Sequence, residues 1–280
     1  IPIRLSYGQT LTQLDRIDEA IQQFRLVFQI ESDNLGALAA LADLYIRTER
    51  YEDLLGVLSR QMELEQDPEA RLQVAYRRAQ VFAAALQDNV RAIEALEGII
   101  DEYGVQEGEA CRALEQLYET EGKWQDLAQL FERRIEAGPE SHEELAALKF
   151  RLGHVSESQL GDKSRAVDLY REVLSIAPEH DGAKAQLEQL LDDADVAADA
   201  SRVLEPIYEM GDEWTQYIHA LRVQHRFAGE PQDKLQLLTR VADTYFQQVG
   251  DTERGFVSLC EAFREMPSDE ATLQRLEQLA

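Results

Sequence analysis

The sequence has 280 residues, of which 54 are acidic and 28 are basic, so its formal charge at pH 7 is −26. A charge of this sign and size repels the phosphates of nucleic acid and anionic membrane surfaces, and neither is an expected partner. Charged residues make up 29% and hydrophobic residues 44%, a balance typical of a soluble folded protein rather than of a disordered chain.

The cysteine and hydropathy patterns exclude several further classes. Cys111 and Cys260 are far apart and outside any CxxC spacing, which argues against a disulfide framework or a zinc site and predicts a reducing, cytoplasmic setting. The longest apolar runs, 35–42 and 81–86, are too short for membrane insertion, and residues 1–6 have no signal-peptide layout. The chain does not begin with Met and residues 276–280 resemble an unfinished helix, so we expect a fragment of a longer protein.

Strong helix formers dominate the sequence, and β-branched residues never alternate over the length of a strand. The predicted fold class is therefore all-α. In chain order, a first helix-forming segment reads LADLY at 41–45, and similar segments follow at 114–118, 187–191 and 276–280. The steps between them are 73, 73 and 89 residues. Such a period indicates a repeat protein.

Two other signals repeat with nearly the same period. An aromatic residue opens a helix in RYEDLL from Arg50, KWQDLA from Lys123 and EWTQYI from Glu213. A turn followed by a helix is predicted for QDNVRAIEAL, GDKSRAVDLY and GDTERGFVSL, in which the Asp is residue 88, 162 and 251. Each period of about 73 residues then contains two helix pairs. The predicted units of this single repeat domain are 1–34, 35–69, 70–107, 108–141, 142–180, 181–235, 236–269 and the start of another at 270–280.

The residues at matching repeat positions resemble those of the tetratricopeptide repeat family, and in particular a piece of a large bacterial-type member. The small, large apolar and terminal Pro positions of that family are represented by Gly8, Ala20 and Phe24, by Tyr118, Phe131 and Pro139, by Ala166, Tyr170 and Pro178, and by Gly255, Leu259 and Pro267. The resemblance implies a right-handed α–α superhelix, or solenoid, of about seven to eight helical hairpins. Glu115, His154, Glu188 and Asp243 depart from the small residue of the first helix, so we expect looser packing there.

The single step of 89 residues implies an insertion between 181 and 232. The segment ASRVLEPIYEM, 200–210, predicts an extra helix near 199–210, which makes 181–235 a three-helix unit. The aspartates just before it, Asp192, Asp193, Asp195 and Asp199, lack the Gly and terminal Glu of a calcium loop, so a flexible solvated linker is the favoured interpretation.

The sequence contains no pattern typical of an active site. Phosphate-binding loops, dinucleotide-binding glycines, a nucleophile elbow and HExxH are all missing, and the five histidines do not share a helix face. We therefore expect no enzyme activity, no cofactor and no metal. Trp124 and Trp214 open second helices, where a packing role is favoured over ligand stacking.

The candidate binding residues are Arg77, Arg112, Arg151 and Arg240, which share one position of the first helix in four units. The family resemblance places that position in the concave groove. One interpretation is a row of arginines that binds an acidic or carboxylate-bearing segment of another protein. The favoured alternative is that each arginine pairs with a carboxylate of the adjacent repeat.

Two functions fit these observations. The first is a protein–protein interaction scaffold that binds a peptide or helical segment in its groove. The second is a structural spacer or self-assembly segment of a longer repeat protein, with self-association through exposed terminal repeats.

Overall fold

A computed structural model describes residues 1–106 and 108–279. Over those residues the protein contains sixteen α-helices and no strand, which confirms the all-α prediction. The chain forms two compact units, residues 1–130 and 131–280, and the boundary falls within one helix. Both consist of consecutive helices that pack against their neighbours in the chain.

The first unit contains seven helices and the start of an eighth. They are α1 (Pro2–Gln13), α2 (Ile17–Ile30), α3 (Leu35–Arg47), α4 (Tyr51–Leu64), α5 (Pro68–Gln80), α6 (Asn89–Tyr103), α7 (Gly108–Glu121) and α8 (Trp124–Glu136). Helix α5 continues directly into a π-helical turn, Val81–Ala85.

The second unit contains the rest of α8 and eight more helices. They are α9 (His142–Ser158), α10 (Lys163–Ile176), α11 (Asp181–Leu190), α12 (Ala197–Met210), α13 (Trp214–Phe227), α14 (Pro231–Thr244), α15 (Thr252–Glu265) and α16 (Glu270–Leu279). Helix α14 also ends in a π-helical turn, Tyr245–Val249.

Seven helical hairpins share one feature, a single residue with positive φ in the turn between the first and the second helix. The hairpins are α1/α2, α3/α4, α5/α6, α7/α8, α9/α10, α12/α13 and α14/α15, and the residues are Asp15, Glu49, Gln87, Gly122, Gly161, Asp212 and Gly250. The left-handed conformation closes the end of the first helix and reverses the chain.

The turns are of two kinds. In the compact turns, the N–H that follows the left-handed residue donates to the carbonyl five residues earlier, as from Lys123 to Tyr118 at 2.8 Å. In the wide turns it donates to the carbonyl six residues earlier, as from Asp251 to Tyr245 at 3.0 Å. From α3 onward, compact and wide hairpins alternate along the sequence. The repeat of about 73 residues is therefore one compact and one wide hairpin.

The two repeated sequence signals correspond to these two turns. RYEDLL, KWQDLA and EWTQYI follow compact turns, while the three segments with Asp follow wide turns. In each wide turn the Asp caps the second helix, since its carboxylate accepts a backbone N–H from Arg91, Arg165 or Arg254.

The wide turn adds one residue to the first helix and corrects part of the predicted repeat alignment. Gly153, not His154, faces the second helix of its hairpin, and a Cβ atom there would lie 2.7 Å from the ring of Tyr170. Ala242 of α14 is fully buried, whereas Asp243 next to it is only half-buried. The prediction of looser packing at these two hairpins was therefore wrong. Glu115 does hold the buried position in α7.

The range 181–235 contains three complete helices and the start of α14, and one of the three, α12, contains the predicted additional helix. A compact turn at Asp212 pairs α12 with α13, which leaves the short helix α11 without a hairpin partner. The acidic segment between α11 and α12 is a packed turn rather than a free linker. Its Asp193 side chain accepts the N–H of Asp195 at 3.0 Å and contacts Lys163, which lowers the pKa of that carboxyl.

The short distance between Gly153 and the Tyr170 ring leads to a testable prediction. Gly153→Ala forces a methyl group against the buried ring of Tyr170, and we expect a loss of about 1–3 kcal/mol in the free energy of unfolding. In Gly56→Ala the added Cβ meets nothing within 4 Å. This substitution is expected to raise the free energy of unfolding by about 0.5–1 kcal/mol, because glycine in a helix interior is less stable than alanine.

Urea unfolding followed by far-UV circular dichroism checks both values. His154→Ala is the control for the register, because the exposed His154 side chain is outside the helix–helix contact. A larger loss at His154 than at Gly153 would contradict the register in which Gly153 faces Tyr170.

Candidate functional site

The four candidate arginines all lie on first helices of hairpins. Arg77 and Arg112 are on α5 and α7 in the first unit, and Arg151 and Arg240 are on α9 and α14 in the second. Each precedes the left-handed residue of its own hairpin by the same number of residues. Arg112, however, precedes a compact turn and the other three precede wide turns, so Arg112 is shifted by one position from them relative to the contact between the two helices of its hairpin.

Two of these arginines contact a carboxylate on the first helix of the preceding hairpin. Arg77 Nη2 lies 3.3 Å from Asp43 Oδ1 of α3; the Arg77 side chain is 40% exposed and the Asp43 side chain is 73% exposed. Arg240 Nη2 contacts the Glu205 carboxylate of α12 and donates to the Tyr217 hydroxyl at 2.6 Å. The inter-repeat pairing considered from the sequence is thus present at these two positions.

The other two arginines have different surroundings. Arg151 lies over the ring of Phe131, with 4.7 Å between the guanidinium carbon and the ring centroid. Arg112 is exposed, and it forms no hydrogen bond or ion pair with the residues that the structure describes. The four positions therefore do not behave as one uniform row of free cations.

Arg240 belongs to the most connected polar network of the four. Glu205 also accepts a hydrogen bond from Gln224 Nε2 at 2.6 Å, and the Gln224 side chain is largely buried. Burial raises the pKa of Tyr217, while the hydrogen bond from Arg240 opposes that shift. The network fixes the Arg240 side chain between α12, α13 and α14.

Open cavities lie along the first helices in both units. In the first unit, cavities of about 400 and 350 Å³ adjoin α5 and α7 and share the lining residues Tyr76, Gln80 and Glu109. In the second unit, cavities of about 330 and 400 Å³ share Gln236 and Arg240. The sequence analysis did not identify any of these cavities. The alanine run Ala83–Ala85, at the end of α5, is the one signal that could have indicated the first pair.

Arg202 and Arg275 are two further lining residues that the sequence analysis missed. Arg202 lines the same cavity as Arg240 and pairs with Asp199 at 2.7 Å. Arg275 lines the neighbouring cavity and pairs with Asp243. Arg202 precedes the left-handed Asp212 by the same ten residues that separate the four candidates from their left-handed residues, so it holds the shared position in a fifth hairpin. The repeat alignment did not reveal it because α12 was taken as an extra helix outside the hairpins. Arg275, in α16, lies beyond the last of the seven hairpins.

The remaining polar and aromatic groups have structural contacts. Trp214 packs edge-on against Tyr217, with ring centroids 5.9 Å apart, in agreement with the predicted packing role. Tyr170 donates to Glu157 at 2.8 Å and Tyr208 donates to Glu188 at 2.7 Å, and burial raises the pKa of both phenols.

Across the described ranges, no group of three or more His, Cys, Asp or Glu side chains could hold a metal ion. None of the described helices is both long and apolar enough to cross a bilayer.

Comparisons with known proteins agree with the hairpin geometry. Two family models described as tetratricopeptide repeat match the chain, one at residues 37–72 and 110–143 and the other at 1–34 and 146–180. Each matched segment covers one hairpin, from α1/α2 and α3/α4 to α7/α8 and α9/α10. No curated protein sequence matches the chain significantly.

Solved structures of repeat proteins also match over nearly the full length. The C-terminal part of a TPR repeat-containing protein from Cytophaga hutchinsonii is 13% identical, with 96% of this chain and 98% of that chain covered and a TM-score of 0.37. A tetratricopeptide repeat protein from Parabacteroides merdae is 12% identical, with 99% and 98% covered and a TM-score of 0.36. At these values we transfer no property from either protein.

The Arg240 network generates a prediction about stability. Arg240→Leu leaves the mostly buried Glu205 carboxylate without its cation, so we expect a loss of about 1–3 kcal/mol. Arg171→Leu, which removes an exposed pair with Asp168, should change stability by less than about 0.5 kcal/mol. Chemical denaturation of the two variants measures the difference. Equal midpoints would show that the Arg240 network contributes little, and Glu205→Leu added to Arg240→Leu should recover much of the loss.

Proposed function

Because the chain belongs to the tetratricopeptide repeat family, we propose that it acts as a protein–protein interaction scaffold whose first helices bind an extended or helical segment of another protein. The two cavities in each unit share lining residues, and each such pair is called a trough. The observation that carries this proposal is that each unit has one such open trough along its first helices. Stacked repeats provide extended surfaces of this kind without a catalytic pocket. We expect a binding role rather than a catalytic one, in a reducing cytoplasmic setting that suits Cys111 and Cys260, which form no disulfide with each other.

An acidic or carboxylate-bearing segment is the proposed ligand of the arginines. The Arg77 pair with Asp43 is exposed, so a carboxylate of the ligand could replace Asp43 at little cost. Arg112 is exposed to solvent, and Arg240 borders both cavities of the second unit. The guanidinium group suits carboxylates because its planar donors form paired hydrogen bonds.

The experiment begins with the immobilised chain and the capture of its partners from a cell lysate. The captured segment is then purified, and its affinity is compared between the unchanged chain and a variant in which Gln replaces the four candidates, Arg77, Arg112, Arg151 and Arg240. The control variant has Gln in place of four arginines on or next to second helices, Arg16, Arg60, Arg171 and Arg254. Both variants have the same net charge.

We expect affinity to fall by roughly tenfold or more in the first variant, with little change in the control. Equal affinity in both variants would reject the arginines but leave the scaffold proposal intact. If no protein binds, the scaffold proposal itself fails.

A second candidate function is self-assembly or spacing within a repeat array, and exposed apolar side chains on the first hairpin favour it. Ile3 on α1 is 84% exposed and Ile30 on α2 is 64% exposed. The two helices are antiparallel, so the start of α1 lies beside the end of α2. An apolar surface of this kind is typical of a protein contact, and a second copy of the chain is the proposed occupant.

Sedimentation velocity over a concentration series tests this candidate. We expect the apparent molar mass of the chain to increase with its concentration. The double variant Ile3→Glu, Ile30→Glu should prevent this increase, because association would then bury two carboxylates at the contact. Val90→Glu on α6, where Val90 is 58% exposed, is the matched control and should leave association unchanged. A monomer at every concentration would contradict self-assembly.

A further inference from the structure

The trough between α5 and α7 has an apolar floor. The floor consists of Ala79, Ala83, Leu96, Ala113 and Leu117, which are five of the eleven residues that line this cavity. Ala79 and Leu96 are 3% and 4% exposed, so the floor is continuous with the core of the first unit. The volume of about 350 Å³ lies in the range of pockets that hold small ligands or side chains, about 300–1,000 Å³.

Small side chains at a wide turn explain why the floor is open. In the hairpin α14/α15, Phe246 lies against Gly255, and its ring atoms would be 2.7 Å from a Cβ there. In α5/α6 the residues at the same distances from the capping Asp are Ala83 and Ala92. A phenylalanine ring is thus replaced by a methyl group where α5 ends in its π-helical turn. Such turns are frequent at functional sites.

Amide side chains border the apolar floor. Gln80 lines both parts of the trough, and Gln116 lines the apolar part from the α7 side. Both are exposed, and each carries donors and an acceptor that match a peptide backbone. The Tyr76 hydroxyl already has a hydrogen-bond partner within the chain, because it accepts the N–H of Ala110 at 3.2 Å.

The charges that line the trough favour a cationic group. Arg77 lines one part, but its charge is compensated by Asp43. Glu109 lines both parts and is exposed, and no cation among the described residues forms an ion pair with it. Arg112, one turn further along α7, lines neither part. The surrounding chain has a net charge of −26, which adds to the attraction for a cation.

We propose that the trough between α5 and α7 binds an extended peptide segment in which an aliphatic side chain fills the alanine-lined pocket and a nearby Lys or Arg pairs with Glu109. Gln80 and Gln116 hydrogen-bond the backbone of that segment. This inference rests on the proposed scaffold function and assigns a ligand class to the first unit. The acidic segment proposed for the arginines shares Arg77 with this trough but none of the other residues named here.

Selection from a phage-displayed library of random peptides on the full chain tests the inference. We expect enrichment of peptides that combine Leu, Ile, Met or Val with a Lys or Arg within two residues. A synthetic peptide of the enriched sequence, with a fluorescent label, then gives affinities by fluorescence polarisation. Replacement of its aliphatic residue or of its basic residue by Ala should each weaken binding by roughly tenfold.

Matched variants of the chain locate the site. Ala113→Phe fills the pocket and Glu109→Lys reverses the lining charge, and each should weaken binding by roughly tenfold. Ala39→Phe on α3 and Glu94→Lys on α6 are the controls, since both residues are exposed and line neither part of the trough. Circular dichroism establishes that every variant is folded, and Ala83→Leu is a second filling variant in case Ala113→Phe is not.

Several outcomes would overturn the inference. They are enrichment of acidic or purely polar peptides, affinity that is unchanged by the filling and charge-reversal variants, and no enrichment at all. If partners are still captured from lysate and bind equally to Ala113→Phe, only this inference fails. If neither peptides nor proteins bind, the scaffold function fails with it.

Discussion

The structure depends on one backbone constraint that recurs in seven turns, the left-handed residue that ends each first helix. Three of these residues are glycines, and the other four are Asp15, Glu49, Gln87 and Asp212. Glycine adopts this conformation freely, whereas other residues do so at a cost of about 1 kcal/mol or more. The second helix can pack along the first only if the chain reverses at that point. The burial of the hairpin interface therefore offsets the strain at the four non-glycine positions.

The width of the turn decides which side chains meet inside a hairpin. A wide turn holds one residue more than a compact turn, so the facing residue of the first helix moves back by one position. The small residues Gly153 and Ala242 then face the second helix, and the polar residues next to them face outward. The buried contact between Gly153 and Tyr170 requires both the wide turn, which points residue 153 at the second helix, and a glycine at that residue.

Neighbouring hairpins are joined by apolar contacts and by charged pairs between first helices. Arg77 with Asp43 and Arg240 with Glu205 are such pairs, and the second is the less exposed. The same helices border the troughs, so residues that join hairpins also lie at the proposed binding surface. The trough between α5 and α7 differs because alanines line one part of it, where the charged residue of the lining is Glu109. The two units therefore present different chemistry on equivalent helices.

The amino-acid sequence was enough to establish the all-α class, the period of about 73 residues, the family and the presence of a helix beyond the regular period. These follow from residues that recur at fixed spacing, because each hairpin buries its own set of small and large side chains. The folded chain was needed to establish which helix pairs with α12, which residue fills the packed position of α9, and which carboxylates Arg77 and Arg240 contact. The reason is that these outcomes depend on turn width and on side chains from neighbouring hairpins. The alanine-lined trough is of the same kind, since a cavity is defined by missing volume on three helices at once and the alanine run 83–85 supplies only one side of it.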